Sequence, residues 1–253
     1  MALIGPLLLS NDPNATAPVN RLMPPGGEHL LGTDALGRDI LSRLVAGSRV
    51  SLFVGLMVTL CSLGIGVTLG VLSGYYRRFG AVAMRITDGL MAFPAILFAI
   101  ALVAIFGQGE WQMVLALTVI LAPLFIRTSF GETRALRELD LIAAARVVGC
   151  SDLRVMFVHI LPNLVPSLLV QGSFVFATAV LSEASLSFVG VGVPPPTASW
   201  GSMISDGRIF IYNAWWLIWP AAVALTSLVL SLSLLGDEMR DSLLRGKRDA
   251  EGA

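Results

Sequence analysis

The sequence predicts an all-α fold, a polytopic bundle of five full transmembrane helices preceded by an N-terminal stub. Of the 253 residues, 55% are hydrophobic and only 13% are charged, whereas soluble proteins carry about 25% charged residues. The mean hydropathy of the chain is +0.80. Five apolar runs also reach the length of about 20 residues that a helix needs to cross a bilayer. Together these observations indicate a membrane protein.

The N-terminal 49 residues precede the first long apolar run. Residues 1–9 are apolar but too short to span, and Pro6 interrupts them, so we interpret them as a truncated first membrane helix or, alternatively, a short re-entrant anchor. Residues 10–49 are polar and rich in proline and glycine. From Asp34 onward, apolar residues recur at helical spacing, which predicts a short amphipathic helix lying along a membrane surface. These residues are Leu36, Ile40, Leu41, Leu44 and Val45.

The membrane domain is predicted to occupy residues 50–236. The five apolar runs are 50–74, 82–106, 111–130, 164–189 and 214–235. Pro94 and Pro123 interrupt the second and third runs. Prolines are tolerated within membrane helices where neighbouring helices or water satisfy the freed backbone groups. A short tail, 237–253, follows the last run.

The positions of Lys and Arg predict the orientation in the membrane. Twelve of them fall in 75–85, in 127–159 and after Gly236, and only five fall in the segments of the opposite side. Because cytoplasmic loops are enriched in positive charge, the central polar stretch and the C-terminal tail are predicted to be cytoplasmic. Residues 10–49 and the loop 190–213 are then predicted to face outward.

The polar stretch between the third and fourth runs, 131–162, has its own helix signals. Gly149 is typical of a helix end, and Ser151 or Asp152 is typical of the N-cap of a following helix. Pro162 suits the start of the next membrane helix, where its missing N–H costs least. The pattern predicts two short helices that bend at Gly149, with three small alanines, 143–145, that let a partner surface approach closely.

This stretch resembles the coupling-helix loop of ATP-binding-cassette importer permeases. The loop usually reads Glu-Ala-Ala, three residues, Gly, nine residues, Ile, one residue, Leu-Pro. Here Ala143 replaces the Glu and His159 replaces the Ile, and His is ordinary at that position in the peptide-importing branch. The resemblance implies that an ATPase binds the loop through Ala143, Ala144, Ala145, Gly149, Asp152, His159, Leu161 and Pro162.

Three further motifs resemble the second permease subunit of dipeptide, oligopeptide and nickel importers. They are GTDALGRDILSR at 32–43, DGLMAFP at 88–94 and EASLSFVGVGVPPPTASW at 183–200, and the likeness runs from about residue 10 to about residue 245. The first motif corresponds to the periplasmic signature of that subunit. Its residues are Gly32, Thr33, Asp34, Gly37, Arg38 and Asp39.

The resemblance implies a fold of the type I importer permease kind in the bacterial inner membrane, and import of short peptides by alternating access. The implied partners are a homologous permease subunit, two cytoplasmic ATPases that hold ATP and Mg²⁺, and a periplasmic or lipid-anchored binding protein. No cofactor in this chain and no nucleic-acid partner is implied. The same machinery for nickel or another small solute is the alternative, and an ATP-independent secondary transporter is a more distant one.

Two acidic residues are candidates for a translocation path. Glu183 lies within an apolar run, where a carboxylate is costly and faces a bundle interior or a water-filled cavity, so a path residue and a helix–helix hydrogen bond both remain open. Asp88 follows Arg85 by three positions, and an ion pair between them is favoured over a substrate contact.

No catalytic or metal-binding constellation is apparent in the sequence. It contains no Gly-rich Lys-Ser/Thr phosphate loop, and its two histidines, His29 and His159, are predicted to lie on opposite sides of the membrane. We therefore expect no metal site and no enzymatic activity in this chain, with ATP hydrolysis on a separate subunit.

Overall fold

The computed structural model describes residues 12–251, with side chains as far as residue 242. The N-terminal stub predicted at 1–9 lies outside the described residues. Regular structure in the described range is helical, apart from one isolated β-bridge between Thr33 and Asp39. The helices are α1 (Ile40–Tyr75), α2 (Arg77–Met91), α3 (Ala95–Phe106), α4 (Glu110–Arg137), α5 (Asp140–Val147), α6 (Asp152–Arg154), α7 (Leu161–Phe188), α8 (Trp200–Gly207) and α9 (Trp219–Glu251). A π-helical segment, Val155–Ile160, joins α6 to α7.

Four helical stretches among the described residues are long and apolar enough to cross a membrane. They are Ile40–Tyr75, Glu110–Arg137, Asp152–Phe188 and Trp215–Ser242. Helices α2 and α3 pass the same test together but meet at an angle of 95°. Pro94 accounts for the bend, because it has no backbone N–H and disfavours helical geometry in the residue before it. Counting this bent pair as one span gives the five predicted spans.

The separate amphipathic helix predicted from Asp34 is not present. Residues 34–39 form a turn, and the apolar positions from Ile40 onward belong to the first turns of α1, which runs unbroken for 36 residues. Two local features set this start. Gly37 adopts a φ of +75°, which a right-handed helix cannot contain. The Asp39 carboxylate accepts a hydrogen bond from the Ser42 backbone N–H at 2.8 Å, as an N-terminal cap does.

The chain divides into two compact units. The first unit consists of the described residues up to Met57 together with Ala99–Leu117 and Ala177–Ser231. The second unit consists of Val58–Phe98, Thr118–Phe176 and the described residues from Leu232 onward. The long helices α1, α4, α7 and α9 therefore each contribute residues to both units.

The first unit has a hydrophobic core built around α8 and the start of α1. Trp200, at the start of α8, is only 6% exposed, and its indole N–H donates a hydrogen bond to the Leu44 carbonyl at 3.1 Å. This bond satisfies the one polar atom of a large apolar side chain. The buried members of the core are Ile40, Trp200, Met203, Ala214, Leu217 and Ala221.

In the second unit, α1 and α4 approach closely through glycines. Three glycines of α1, each four residues from the next, face α4 with no room for a side chain. The contacts pair Gly66 with Phe125, Gly70 with Ser129 and Gly74 with Thr133. Small residues at this spacing allow two helix backbones to pack directly against each other in a membrane. The high glycine content of the sequence therefore serves, in part, this helix–helix contact.

Candidate functional site

Helix α5 and the turn that ends it form the central part of the candidate site in the second unit. Gly149 has a φ of +89°, and the N–H groups of Gly149 and Cys150 donate to the carbonyls of Arg146 and Ala145 at 3.0 Å each. This pattern is a Schellman motif, which commonly ends helices at glycine. The predicted helix end at Gly149 is thus present. A Cβ added to Gly149 would meet no atom within 4 Å, so only the backbone conformation favours glycine.

The second predicted short helix is not a separate element. Ser151 caps α6, its hydroxyl accepting a hydrogen bond from the Arg154 N–H at 3.4 Å, and Asp152 lies in the first turn. From Asp152 the chain continues through the π-helical segment and α7 to Phe188 without a break. The π-helical segment continues the helical path from α6 into α7, so the membrane helix begins at Asp152. Pro162 therefore lies within this helix and not at its start. Pro162 is exposed, and Asn163 donates to the His159 carbonyl at 2.6 Å.

Asp152 links this segment to the end of α1. The Tyr75 hydroxyl donates to Asp152 Oδ1 at 2.5 Å, and the Tyr76 hydroxyl donates to Oδ2 at 3.2 Å. Tyr75 is only 2% exposed, whereas Asp152 is on the surface. A hydrogen bond to a charged acceptor is stronger than one between neutral groups. The start of α6 is thus fixed to the end of α1.

Tyr75 also links α5 to the same point. The guanidinium carbons of Arg137 and Arg146 lie 5.7 Å and 5.0 Å from the centre of the Tyr75 ring. These distances are within the range of a cation–π attraction. Arg137 ends α4 and Arg146 lies in the last turn of α5, so one tyrosine ring contacts the end of α4 and the last turn of α5.

The outer surface of this segment is apolar and exposed. Ile142 faces inward and is 3% exposed, while Val147 and Val148 are 88% and 84% exposed. Other exposed residues are Leu141, Ala143, Ala144, Leu153, Phe157 and Val158. We name these exposed residues, with Val147 and Val148, the coupling face. Such a concentration of exposed apolar side chains is typical of a surface that another protein or lipid covers.

The Asp88 side chain is engaged elsewhere in the second unit. Its carboxylate forms an ion pair of 2.6 Å with Arg127 of α4, and more than half of each side chain is exposed. The ion pair predicted between Arg85 and Asp88 was therefore wrong, because Asp88 pairs with Arg127 instead. Arg127 lies 39 residues from Asp88, beyond the reach of local helix spacing. A translocation role for Asp88 stays a prediction.

The signature motif at residues 32–39, in the first unit, is a tight turn held by its own acidic residues. Asp34 Oδ1 accepts from the backbone N–H groups of Leu36 and Arg38 at 2.8 and 2.9 Å, and Asp39 bonds His29 at 2.9 Å. Gly32, like Gly37, has a positive φ, of +80°. The Thr33 hydroxyl donates to the Asn20 carbonyl and accepts from the Met23 N–H. The signature residues thus determine the path of the loop that precedes α1.

Two arginines extend this turn towards α8. Asp34 Oδ2 contacts Arg38 Nε at 2.6 Å and Arg43 Nε at 3.6 Å, and both guanidinium groups also approach Asp206 at about 4 Å. Partial burial raises the pKa of the Asp206 carboxyl, and Arg43 and Arg38 oppose that rise. The group lines a cavity of about 540 Å³ within the first unit. The sequence motif named Asp34 and Arg38 but gave no sign of Asp206.

Glu183 is fully buried in the first unit and hydrogen-bonded to serines from two helices. Its two carboxylate oxygens accept from the Ser51 hydroxyl at 2.9 Å and the Ser187 hydroxyl at 2.8 Å. The Ser51 hydroxyl in turn accepts a hydrogen bond from the backbone N–H of Trp200 at 3.2 Å. Because Ser51 belongs to α1 and Glu183 to α7, this is the helix–helix hydrogen bond that the sequence left open. A role in a translocation path stays a prediction.

Sequence patterns did not predict the contacts between residues that lie far apart in the chain. Nothing local connects Tyr75 to Asp152 or Ser51 to Glu183, although Asp152 and Glu183 were themselves identified. Among the described residues, no group of three or more His, Cys, Asp or Glu side chains could hold a metal ion.

Comparison with known sequences gives consistent matches. Residues 66–248 match the family described as "Binding-protein-dependent transport system inner membrane component". A putative peptide transport system permease protein of Brucella suis is 45% identical over 242 residues, which are 96% of this chain and 82% of that protein. A dipeptide transport system permease protein of Alkalihalophilus pseudofirmus is 41% identical over 244 residues, 96% of this chain and 80% of that protein.

A solved structure is also similar. It is described as inward facing conformations of the MetNI methionine ABC transporter, and it matches with a TM-score of 0.66 and 22% sequence identity. The match covers 79% of this chain and 95% of that chain. At this identity the likeness concerns the fold, and it confirms the predicted all-α importer-permease architecture.

Proposed function

The chain belongs to the family of binding-protein-dependent transport system inner membrane components, and from that premise we propose that it carries short peptides across the bacterial inner membrane as one permease subunit of an ABC importer. The peptide substrate is supported by the high identity to peptide and dipeptide permeases from Brucella suis and Alkalihalophilus pseudofirmus, over nearly the whole chain. The membrane location is supported by the long apolar helices.

The observation that carries the proposal is the coupling face. An apolar surface with Val147 88% exposed and Val148 84% exposed is costly to leave in water unless another protein covers it. It lies at the segment whose sequence matches the ATPase-binding loop of importer permeases. We therefore assign this face to a cytoplasmic ATPase, which also orients α5 and the C-terminal tail toward the cytoplasm.

The proposed assembly contains a second, homologous permease subunit and two ATPases. A periplasmic or lipid-anchored binding protein would deliver the peptide to the outward segments 10–49 and 190–213. ATP and Mg²⁺ would bind to the ATPases, which supply the chemical step, so this chain is not expected to act as an enzyme. Its own task is to convert movement of the ATPases into alternating access.

The contacts of Tyr75 provide a route for that movement. An ATPase that displaces α5 also displaces Arg146, which lies over the Tyr75 ring, and Asp152, which accepts the Tyr75 hydroxyl. Tyr75 ends α1, so a displacement of the coupling face reaches a membrane helix through two direct contacts. The Gly149 turn keeps α5 and α6 at a defined angle, so that they move as one lever.

Co-purification tests the partner assignment. The chain would be extracted in mild detergent, and the co-purified ATPase would be measured for the native protein, Val147→Asp and the matched control Val147→Thr. We expect Val147→Asp to lose most of the ATPase, because it places a charge in an apolar contact, and Val147→Thr to retain it. If the native chain retains no ATPase, the ATP-driven proposal is wrong.

Uptake tests the substrate assignment. A strain that lacks the gene would be complemented with the native chain and supplied with labelled dipeptide or with nickel. We expect dipeptide uptake to be restored, and nickel uptake to stay at the level of the uncomplemented strain that lacks the gene. Restoration of nickel uptake alone would reassign the substrate while leaving the ATPase result untouched.

A further inference from the structure

The second unit contains a cavity of about 560 Å³ with a strongly basic lining. It lies among the end of α1, α2, α4 and α5. Four guanidinium groups line it, and Glu138 is the one carboxylate among the described lining residues. The four basic residues are Arg77, Arg134, Arg137 and Arg146.

These arginines have no carboxylate partner in the part of the chain with described side chains. None of the ion pairs found there, within 4.0 Å, includes any of the four. The nearby Asp152 carboxylate already accepts hydrogen bonds from Tyr75 and Tyr76. Four like charges around one cavity repel one another, and this repulsion is relieved when an anion enters.

The start of α2 adds to the positive potential. Arg77 and Arg78 occupy its first two positions, although the positive end of a helix dipole favours acidic residues there. No side chain caps this helix start, and Gly80 in its first turn lines the cavity. A helix N-terminus beside arginines is well suited to a phosphate group.

We propose that this cavity binds the phosphate of an anionic phospholipid headgroup. The lining combines the arginines with Met84 and Phe130, and α2 exposes Val82 and Ile86 by 61% and 62%, so charge and apolar surface adjoin as they do in a lipid. The lipid source rests on the proposed cytoplasmic location of this surface, because basic pockets between membrane helices on that side bind lipid headgroups.

The site would make transport sensitive to lipid composition. Arg137 and Arg146 line the cavity and also contact the Tyr75 ring, so a bound phosphate holds the residues that connect α5 to α1. We expect uptake per ATP hydrolysed to be higher in membranes that contain phosphatidylglycerol than in membranes of phosphatidylcholine alone.

Native mass spectrometry of the purified permease–ATPase complex tests the site. The complex would be titrated with phosphatidylglycerol, phosphatidylcholine or inorganic phosphate, using the native chain, the double variant Arg77→Gln/Arg134→Gln and the control Arg85→Gln. Arg85 is exposed on the same helix but does not line the cavity. We expect phosphatidylglycerol to be retained in preference to phosphatidylcholine, and retention to fall about five-fold for each cavity arginine removed.

Other variants and ligands separate the possible outcomes. Glu138→Gln removes the cavity carboxylate and is expected to raise phosphatidylglycerol retention. Equal loss in Arg85→Gln and the double variant would overturn the proposal. Displacement of the lipid by an equal concentration of inorganic phosphate would overturn the lipid source, and retention only in complexes without ATPase would instead indicate an acidic segment of that partner. The same spectra report whether the ATPase is bound, so a failure of the proposed function is distinguishable.

Discussion

The hydroxyl group of Tyr75 donates a hydrogen bond to Asp152 Oδ1 at 2.5 Å, joining two residues that lie 77 positions apart. The same tyrosine ring lies against Arg137 and Arg146 at 5.7 and 5.0 Å. One side chain therefore connects the end of α1 with both α5 and α6. The predictions about coupling follow from this arrangement.

Tyr75→Phe isolates the hydrogen bond, because the ring under Arg137 and Arg146 is preserved. We expect a loss of about 1 kcal/mol in stability and a several-fold fall in uptake per ATP hydrolysed. Thermal unfolding of the complex and paired uptake and ATPase assays measure the two effects. The control is Tyr76→Phe, whose hydrogen bond to Asp152 is longer, at 3.2 Å, and exposed. An equal effect of both variants would argue against Tyr75 as the connecting residue.

Ala143→Glu introduces the side chain that the coupling loop of the family usually has. Ala143 is exposed on α5 near its N-terminus, so a glutamate fits without a clash and interacts favourably with the helix dipole, by about 0.5 kcal/mol. We expect the ATPase to dissociate at a higher salt concentration than it does from the native chain. Ala144→Glu, also exposed but one position further on, is expected to weaken the contact. Weaker retention by Ala143→Glu would contradict the assigned register of the loop.

Gly149 is predicted to tolerate asparagine but not valine. The left-handed φ of +89° costs a β-branched residue about 1–2 kcal/mol, whereas asparagine adopts this region readily. Because the space around Gly149 is open, neither variant creates a clash, and both should reach the membrane. We expect Gly149→Val to uncouple ATP hydrolysis from uptake and Gly149→Asn to retain most of the uptake. If Gly149→Val took up substrate at the rate of the native protein, the turn at Gly149 would not have the coupling role assigned to it.

The contact between α1 and α4 predicts a sharp contrast between two glycines of one helix. A Cβ at Gly70 would lie 2.5 Å from the Ser129 Cβ, whereas a Cβ at Gly64 would meet no atom within 4 Å. We expect Gly70→Ala to destabilise the protein by about 1–3 kcal/mol, and Gly64→Ala to be neutral or to stabilise it by up to about 1 kcal/mol. Thermal unfolding in detergent measures both. Equal melting temperatures would mean that α1 does not pack on α4 in this register.

The sequence predicted features that depend on neighbouring residues. The helix end at Gly149 and the cap at Ser151 depend on backbone conformation and on bonds within a few residues, so local patterns were sufficient. The apolar runs were predicted on the same basis. The bend at Pro94 was predicted as a break but not as an angle of 95°, because the direction of a bend depends on packing against other helices.

Partners of charged and polar side chains could not be predicted in the same way. Asp88 pairs with Arg127 rather than with the neighbouring Arg85, and Glu183 bonds Ser51 from a position 132 residues away. Such pairs depend on which helices adjoin and in what register, and a single sequence contains no direct record of either. The start of α1 was also misjudged, because apolar residues at helical spacing do not reveal whether a helix lies on a membrane or crosses it.

Substitutions at Glu183 distinguish a structural hydrogen bond from a role in the translocation path. Glu183→Leu leaves the hydroxyls of Ser51 and Ser187 without their buried acceptor, and we expect a loss of about 1–3 kcal/mol. Glu183→Gln preserves the size and one acceptor oxygen, so its loss should be smaller. The control Ser185→Ala removes an exposed hydroxyl that bonds only the Leu181 carbonyl of its own helix among the bonds found there. Uptake close to native in Glu183→Gln, with thermal stability lowered in Glu183→Leu, is the expected result for a helix–helix bond. A stable Glu183→Gln protein that binds its ATPase but no longer imports peptide would instead assign the carboxylate to the path.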